Sequence, residues 1–157
     1  GGIMASDEVE VIVIQSRLGE REVRLDKVLH FPRGIIGFEG AHEFTLLQIH
    51  ENAPLLVLQS MLEPTLGLLV ADPFAFLPEY SLTVSDAEQQ ILQAQGPQDI
   101  AVLVTATIPP GKPEETALNL LGPIVINHRA RLGLQVPQVE KDKQPGKVFV
   151  HMREIRG

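Results

Sequence analysis

Cysteine and tryptophan are both absent from this 157-residue chain. Without cysteine there is no disulfide framework, no thiol nucleophile, and no cysteine-ligated zinc or iron–sulfur centre. No apolar run approaches the roughly 20 residues that a membrane-spanning helix needs, and no basic segment with a signal-peptide core opens the chain. Membrane insertion and secretion are therefore not expected, and the composition fits the cytosol. Catalytic signatures are missing too. His30, His42, His50, His128 and His151 form no HExxH or HxH. The densest group, His42 with Glu43 and His50, lacks ligand spacing, so no metal is expected. No serine sits in a G-x-S-x-G elbow, and Asp86 with Glu88 reads as helix capping rather than acid–base chemistry. The expectation is no enzyme and no cofactor.

Basic residues are also in short supply, 13 Lys plus Arg against 20 Asp plus Glu, for a formal charge of −7. Such a surface repels phosphate backbones and attracts basic protein surfaces, so direct nucleic-acid binding is not expected. What is abundant is aliphatic. Hydrophobic residues make up 44% of the chain with only six Phe and one Tyr among the aromatics, which leaves Val, Ile and Leu to build the core, a composition typical of sheets. The length suits one domain. Gly1-Gly2-Ile3 precede Met4, where natural translation is expected to start, and carry no weight in fold reasoning.

The stretch Phe31-Pro32-Arg33-Gly34-Ile35-Ile36-Gly37-Phe38-Glu39-Gly40 spaces three glycines three residues apart. That pattern suits neither a strand nor a helix. It reads as a shaped loop needing positive φ or close backbone approach, pinned to a core by Phe31 and Phe38. A phosphate cradle would need a following helix or a Gly-Lys-Ser/Thr, and an RNA-clamping turn would place polar or basic residues where Ile35 and Ile36 stand. A hub that presents a surface to a protein partner remains.

Along the chain, Val9–Ile14 and Val23–Leu25 predict an opening hairpin around Arg17-Leu18-Gly19-Glu20. Strands follow at Val28–Phe31, Phe44–Ile49, Leu55–Ser60 and Leu66–Val70. Asp72-Pro73-Phe74-Ala75-Phe76-Leu77-Pro78-Glu79-Tyr80 is a second shaped loop, whose prolines lower the ordering cost of presenting aromatics; alternatively Phe74 and Phe76 plug a barrel end. Ser85-Asp86-Ala87-Glu88 has the capping-box form and starts the one expected helix, with Gly96-Pro97 as its stop. Ile100–Ile108 is a long strand answered by Thr116–Leu120 across a proline-rich loop. Leu121-Gly122-Pro123 is expected to bend the chain into Ile124–Asn127, with Leu132–Val136 after it. Asn119 and Asn127 read as satisfied turn or strand-end residues. The expected fold is mainly β: a small antiparallel barrel, closed or nearly closed, with one short helix, over residues 4–136. A polar, loose tail follows over 137–157, in which Lys147–Met152 can form a last edge strand.

Taken in order, these stretches resemble one family, the bacterial flagellar assembly factor FliW. The matching pieces are Phe31 with Gly34–Glu39, Pro54–Ser60, Asp72-Pro73-Phe74 through Pro78-Glu79-Tyr80, Asn119–Asn127, and Gly133 with Gln135. Departures are Ile36 where the family loop usually has proline, Gly122 where alanine is usual, and Pro137-Gln138 where an aliphatic strand tends to continue. The resemblance implies a cytoplasmic, non-enzymatic protein without cofactor that binds flagellin and the translational regulator CsrA. Flagellin export would free it to hold CsrA and relieve repression of flagellin mRNA. On that reading Phe38, Glu39, Asp72, Phe76, Pro78 and Tyr80 lie at or beside a partner surface. The other reading is a small β-barrel that binds a different protein.

Overall fold

A computed structural model describes residues 9–139 and 144–150. Strands β1 (Val11–Ser16) and β2 (Gly19–Arg24) form the opening hairpin, a two-stranded sheet turned at Gly19, whose φ of 94° suits glycine. The remaining strands are β3 (Leu29–His30), β4 (Glu43–Gln48), β5 (Leu55–Ser60), β6 (Gly67–Ala71), β7 (Ile100–Thr107), β8 (Ala117–Asn127), β9 (Leu132–Gln135) and β10 (Lys147–Phe149). They form one sheet in the order β10-β8-β7-β6-β5-β4-β3-β9, and β8 also pairs with β9. That last pairing turns the sheet into a ring with β10 appended to β8. The mainly β, barrel-like expectation holds, with one qualification: β3 meets β9 in parallel, at His30 opposite Leu132, while the other pairs are antiparallel.

Strand β5 shows how sequence places the core. Its alternation sends Leu58 into a cluster with Phe31, Phe44, Val70 and Ile124, while Val57 faces Ile14 and Val23 of the hairpin. Covered on both faces, the strand is apolar almost throughout. Each fully buried side chain of this kind contributes about 1.5–3 kcal/mol.

Three local expectations are corrected. The segment after β6 is not loop throughout, because Asp72 caps a one-turn helix α1 (Pro73–Phe76) by accepting from Phe74 N–H at 2.9 Å. Helix α2 (Asp86–Leu92) carries the expected capping box, but ends at Gln93 in the left-handed conformation rather than at Gly96-Pro97. Gly122-Pro123 does not break the strand. β8 runs from Ala117 to Asn127, and the disruption appears as a shift in its register against β7 between Leu103 and Thr105. Pro123 lacks a donor, yet its carbonyl accepts from Val136 N–H at 2.8 Å.

Beyond β9, Gln138 exchanges two side-chain hydrogen bonds with the Thr83 backbone, and Gln144 does the same with Ser81. Of the expected edge strand, Lys147–Phe149 pairs antiparallel with Ala117–Asn119, while His151 and Met152 lie outside the described residues.

Candidate protein-binding surface

The glycine loop folds as a chain of tight turns between β3 and β4. Phe31 N–H donates to His42 O at 2.7 Å and Gly34 N–H to Phe31 O at 2.9 Å. Ile35 and Phe38 then exchange backbone bonds in an isolated bridge around Ile36-Gly37, with Gly37 at a φ of 90°. Positive φ at the third position of such a turn calls for glycine. Gly34, at a φ of 66°, packs so closely on Glu39 that an added Cβ would lie 2.5 Å from its carbonyl oxygen. The anchors are Phe31, fully buried, and Ile35. Phe38 is not an anchor, contrary to the sequence reading; it is 46% exposed, and Ile36 beside it is 60% exposed.

A second turn stands next to this loop. Ser60 Oγ accepts from the N–H groups of Leu62 and Glu63. The fully buried Gln59 amide donates to the carbonyls of Ser60, Glu63 and Pro64, and its oxygen accepts from Arg17 N–H. A buried amide with every group satisfied fixes backbone position strongly. Held by it, Leu62 projects into solvent at 83% exposure. Phe38, Leu62 and Leu66 with Ala41 line a groove of about 240 Å³ whose rim includes His42, Glu43 and Glu63. Glu39 Oε2 accepts from Gly37 N–H at 3.0 Å, and backbone N–H donation from Gly37 and from Glu39 itself holds its carboxyl below the usual range. Glu43 is met by His30 Nδ1 at 2.7 Å. The result is an apolar groove with the carboxylates of Glu43 and Glu63 at its rim, which suits an apolar side chain carried among basic ones.

The second predicted loop lies elsewhere. Gln59 opposite Gly67 marks one end of the β5–β6 pair and Leu55 opposite Ala71 the other. The glycine loop borders the first end and Asp72–Tyr80 leaves from the second, about 13 Å along the strand. The six predicted residues therefore divide into Phe38 with Glu39, and Asp72, Phe76, Pro78 and Tyr80. In the second group Asp72 and Pro78 are exposed and Phe76 is half-buried against the core. Tyr80 lies beneath the loop, 4% exposed, where it donates to Leu120 O at 3.0 Å and meets the half-exposed Phe74 edge-on at 5.7 Å. Its position makes it a support for Phe74, and desolvation raises its pKa.

Sequence reasoning missed Ile36 and Leu62 as exposed apolar groups, while Phe74, 39% exposed, fits the reading of a loop that presents its aromatics better than that of a barrel plug. Leu62 carried a usable signal, since a serine two residues before it can hold its N–H. Among the described residues no group of three or more His, Asp or Glu side chains could hold a metal ion, and no helix is long and apolar enough to cross a membrane.

Residues 12–148 match the family model for FliW protein. The chain belongs to the FliW family. A flagellar assembly factor FliW of Nitratidesulfovibrio vulgaris is 56% identical over 146 residues, covering 93% of this chain and 84% of the relative. One from Moorella thermoacetica is 39% identical over 124 residues, covering 79% and 78%. The crystal structure of a flagellar assembly factor FliW superposes with a TM-score of 0.78 at 33% identity, covering 88% of this chain and 96% of that one. Both loops, the Gln59-Ser60 turn and β8 fall inside the stretch matched to FliW.

Proposed function

We propose that this FliW-family chain acts in the cytoplasm, without catalysis or cofactor, by binding flagellin and sequestering the translational regulator CsrA, so that repression of flagellin mRNA is relieved. The observation that carries this reading is the groove at the glycine loop. Exposed Leu62 stands on a turn fixed by buried Gln59, exposed Phe38 stands on the Ile35–Phe38 turn of the glycine loop, and Glu43 and Glu63 lie at the rim. A basic RNA-binding protein such as CsrA presents the complementary charge. Apolar residues at Phe38, Phe76 and Pro78, with Glu39 and Asp72 beside them and Tyr80 beneath, make up the partner surface. Two loops set at opposite ends of β6 allow separate sites for two partners. Mass action then transmits the signal, each partner's occupancy setting how much factor is left for the other.

The deciding experiment is calorimetric titration of the purified chain with CsrA and, separately, with monomeric flagellin from the same organism. Binding to both is the expected result. Flagellin alone would remove the translational branch, and binding to neither would mean that the fold has been kept for a different partner.

A further inference from the structure

The opening hairpin is joined to the rest of the molecule by side chains and turn bonds, and its strands share no ladder with the barrel. Among the described residues, strand β1, Val-Ile-Val-Ile-Gln-Ser, is therefore an edge strand. Leu25 N–H donates to Glu10 O, which sets the alternation along the ladder, so Ile12, Ile14 and Ser16 exchange bonds with β2. The N–H and C=O groups of Val11, Val13 and Gln15 point the other way. No backbone partner for them is found among the described residues. Val11 is 45% and Val13 57% exposed.

Edge strands in soluble proteins are usually guarded by charge, proline or a bulge. The outer strand β2 carries Glu20, Arg21, Glu22 and Arg24, and β10 carries Lys147. β1 has no charge, no proline and no bulge in its ladder. We propose that β1 is a self-pairing edge, through which two copies of this chain join antiparallel into one four-stranded sheet ordered β2-β1-β1-β2.

The register follows from the outward groups. Only pairing about Val13 uses all three residues of each copy, setting Val13 opposite Val13 and Val11 opposite Gln15, with about six new backbone hydrogen bonds. Ile12 of each copy then lies beside Ile14 of the other. Charge favours a second copy over an unrelated segment. In a chain of net charge −7 most surfaces repel their own kind, whereas here the meeting strands are neutral. Glu22, opposite Val13 on β2, ends up three strand spacings from Glu22 of the second copy, about 14 Å, beyond the screening length at physiological salt. A single six-residue strand pair buries less than a standard interface, so the dimer is weak and concentration-dependent.

Sedimentation velocity on the full chain from micromolar to millimolar concentration should show a reversible monomer–dimer equilibrium. Val13→Lys sets two cations face to face on the two-fold axis and should weaken it at least about tenfold with an unchanged melting temperature. Amide hydrogen exchange of the wild type gives a readout that needs no variant: protection at Val11, Val13 and Gln15 should rise with concentration, while Ile12 and Ile14 stay as they are. A monomer throughout, or a dimer indifferent to Val13→Lys, would overturn the proposal. So would protection at the three amides that does not change with concentration, since the chain's own residues would then cover the edge.

Discussion

The backbone N–H of Ile36 donates to Gln135 Oε1 at 2.9 Å, across 99 residues of sequence, and the same amide's Nε2 donates to Gly122 O at 3.0 Å. One side chain thus ties the tip of the glycine loop to the irregular point of β8. Ile36 and Gly122 are also the two positions within the matching motifs at which the sequence reading expects other residues from the resemblance, proline in the loop and alanine in the strand. Proline has no N–H to give. A Cβ at Gly122 would lie 2.9 Å from Gln135 Nε2 and push the amide away.

The two departures should therefore be coupled. Ile36→Pro rigidifies the turn, worth about 0.4–1 kcal/mol where the geometry fits, but gives up a hydrogen bond worth about 0.5–1.5 kcal/mol. In the wild type these offset each other. In a Gln135→Ala background the hydrogen bond is already gone, and Ile36→Pro should stabilise by its full amount. Urea unfolding of the four proteins of this double-mutant cycle measures the coupling; additive effects would show that the bridge carries no energy.

Gly133 faces the ring of Phe31 so closely that a Cβ would overlap its edge carbons. Phe31 is fully buried and meets Phe44 edge-on at 5.3 Å, so it cannot step aside. Gly133→Ala should cost about 1–3 kcal/mol by overpacking, and much less in a Phe31→Leu background, where the ring is missing. Equal costs in both backgrounds, read by chemical unfolding, would place the strain elsewhere.

What the sequence made legible was local. The Ser85–Glu88 capping box needs only side chains three residues apart, and the strands announce themselves by β-branched runs. Gly122-Pro123 misled because a proline usually stops a ladder; here the strand persists because the partner needs only the Pro123 carbonyl. Asp72-Pro73 signals a helix start as well as a turn, and the aromatic pattern around it drew attention away from the cap. The parallel β3–β9 contact joins residues about a hundred positions apart and leaves no local trace. Phe38 and Ile35 sit in the same apolar loop, and composition alone does not say which one the turn will point inward.

Asn127 is fully buried, and its Nδ2 donates to Leu92 O at 2.9 Å and Gln93 O at 3.3 Å, while its Oδ1 accepts from the N–H groups of Arg129 and Ala130. It thereby satisfies the open carbonyl end of α2 and the turn after β8 together. Asn127→Ala should cost about 1–3 kcal/mol. Asn127→Asp should cost more at neutral pH, because the carboxylate meets helix carbonyls at the negative end of the dipole. Thermal melts at acidic and neutral pH separate the two, with the aspartate variant recovering as it is protonated.

Glu39 accepts backbone N–H groups in its charged form, so its folded pKa lies below its unfolded value. Its contribution to loop stability is present above the unfolded pKa and is lost as pH falls through the folded one. A carboxyl-carbon NMR titration should show Glu39 with a midpoint below the ordinary glutamate value. Amide exchange at Gly37 should speed up over the same acid range in the wild type and stay flat in Glu39→Gln. A Glu39 midpoint at the ordinary glutamate value would remove the bond to Gly37.

On the proposed function the groove would divide its work between apolar contact and charge, and kinetics can separate the two. Leu62 is so exposed that Leu62→Ser should alter stability by no more than about 0.5 kcal/mol, whereas an apolar group seated against a partner costs 1 kcal/mol or more when lost, roughly a fivefold change. That loss should appear as faster dissociation. Glu63 borders the same groove, and Glu63→Gln should instead slow association and flatten its salt dependence, because charges at a rim act on approach more than on residence. Surface plasmon resonance with CsrA over a range of salt would resolve both. If Leu62→Ser changed only association, or if association of the wild type ignored salt, the groove would not be where a basic partner docks.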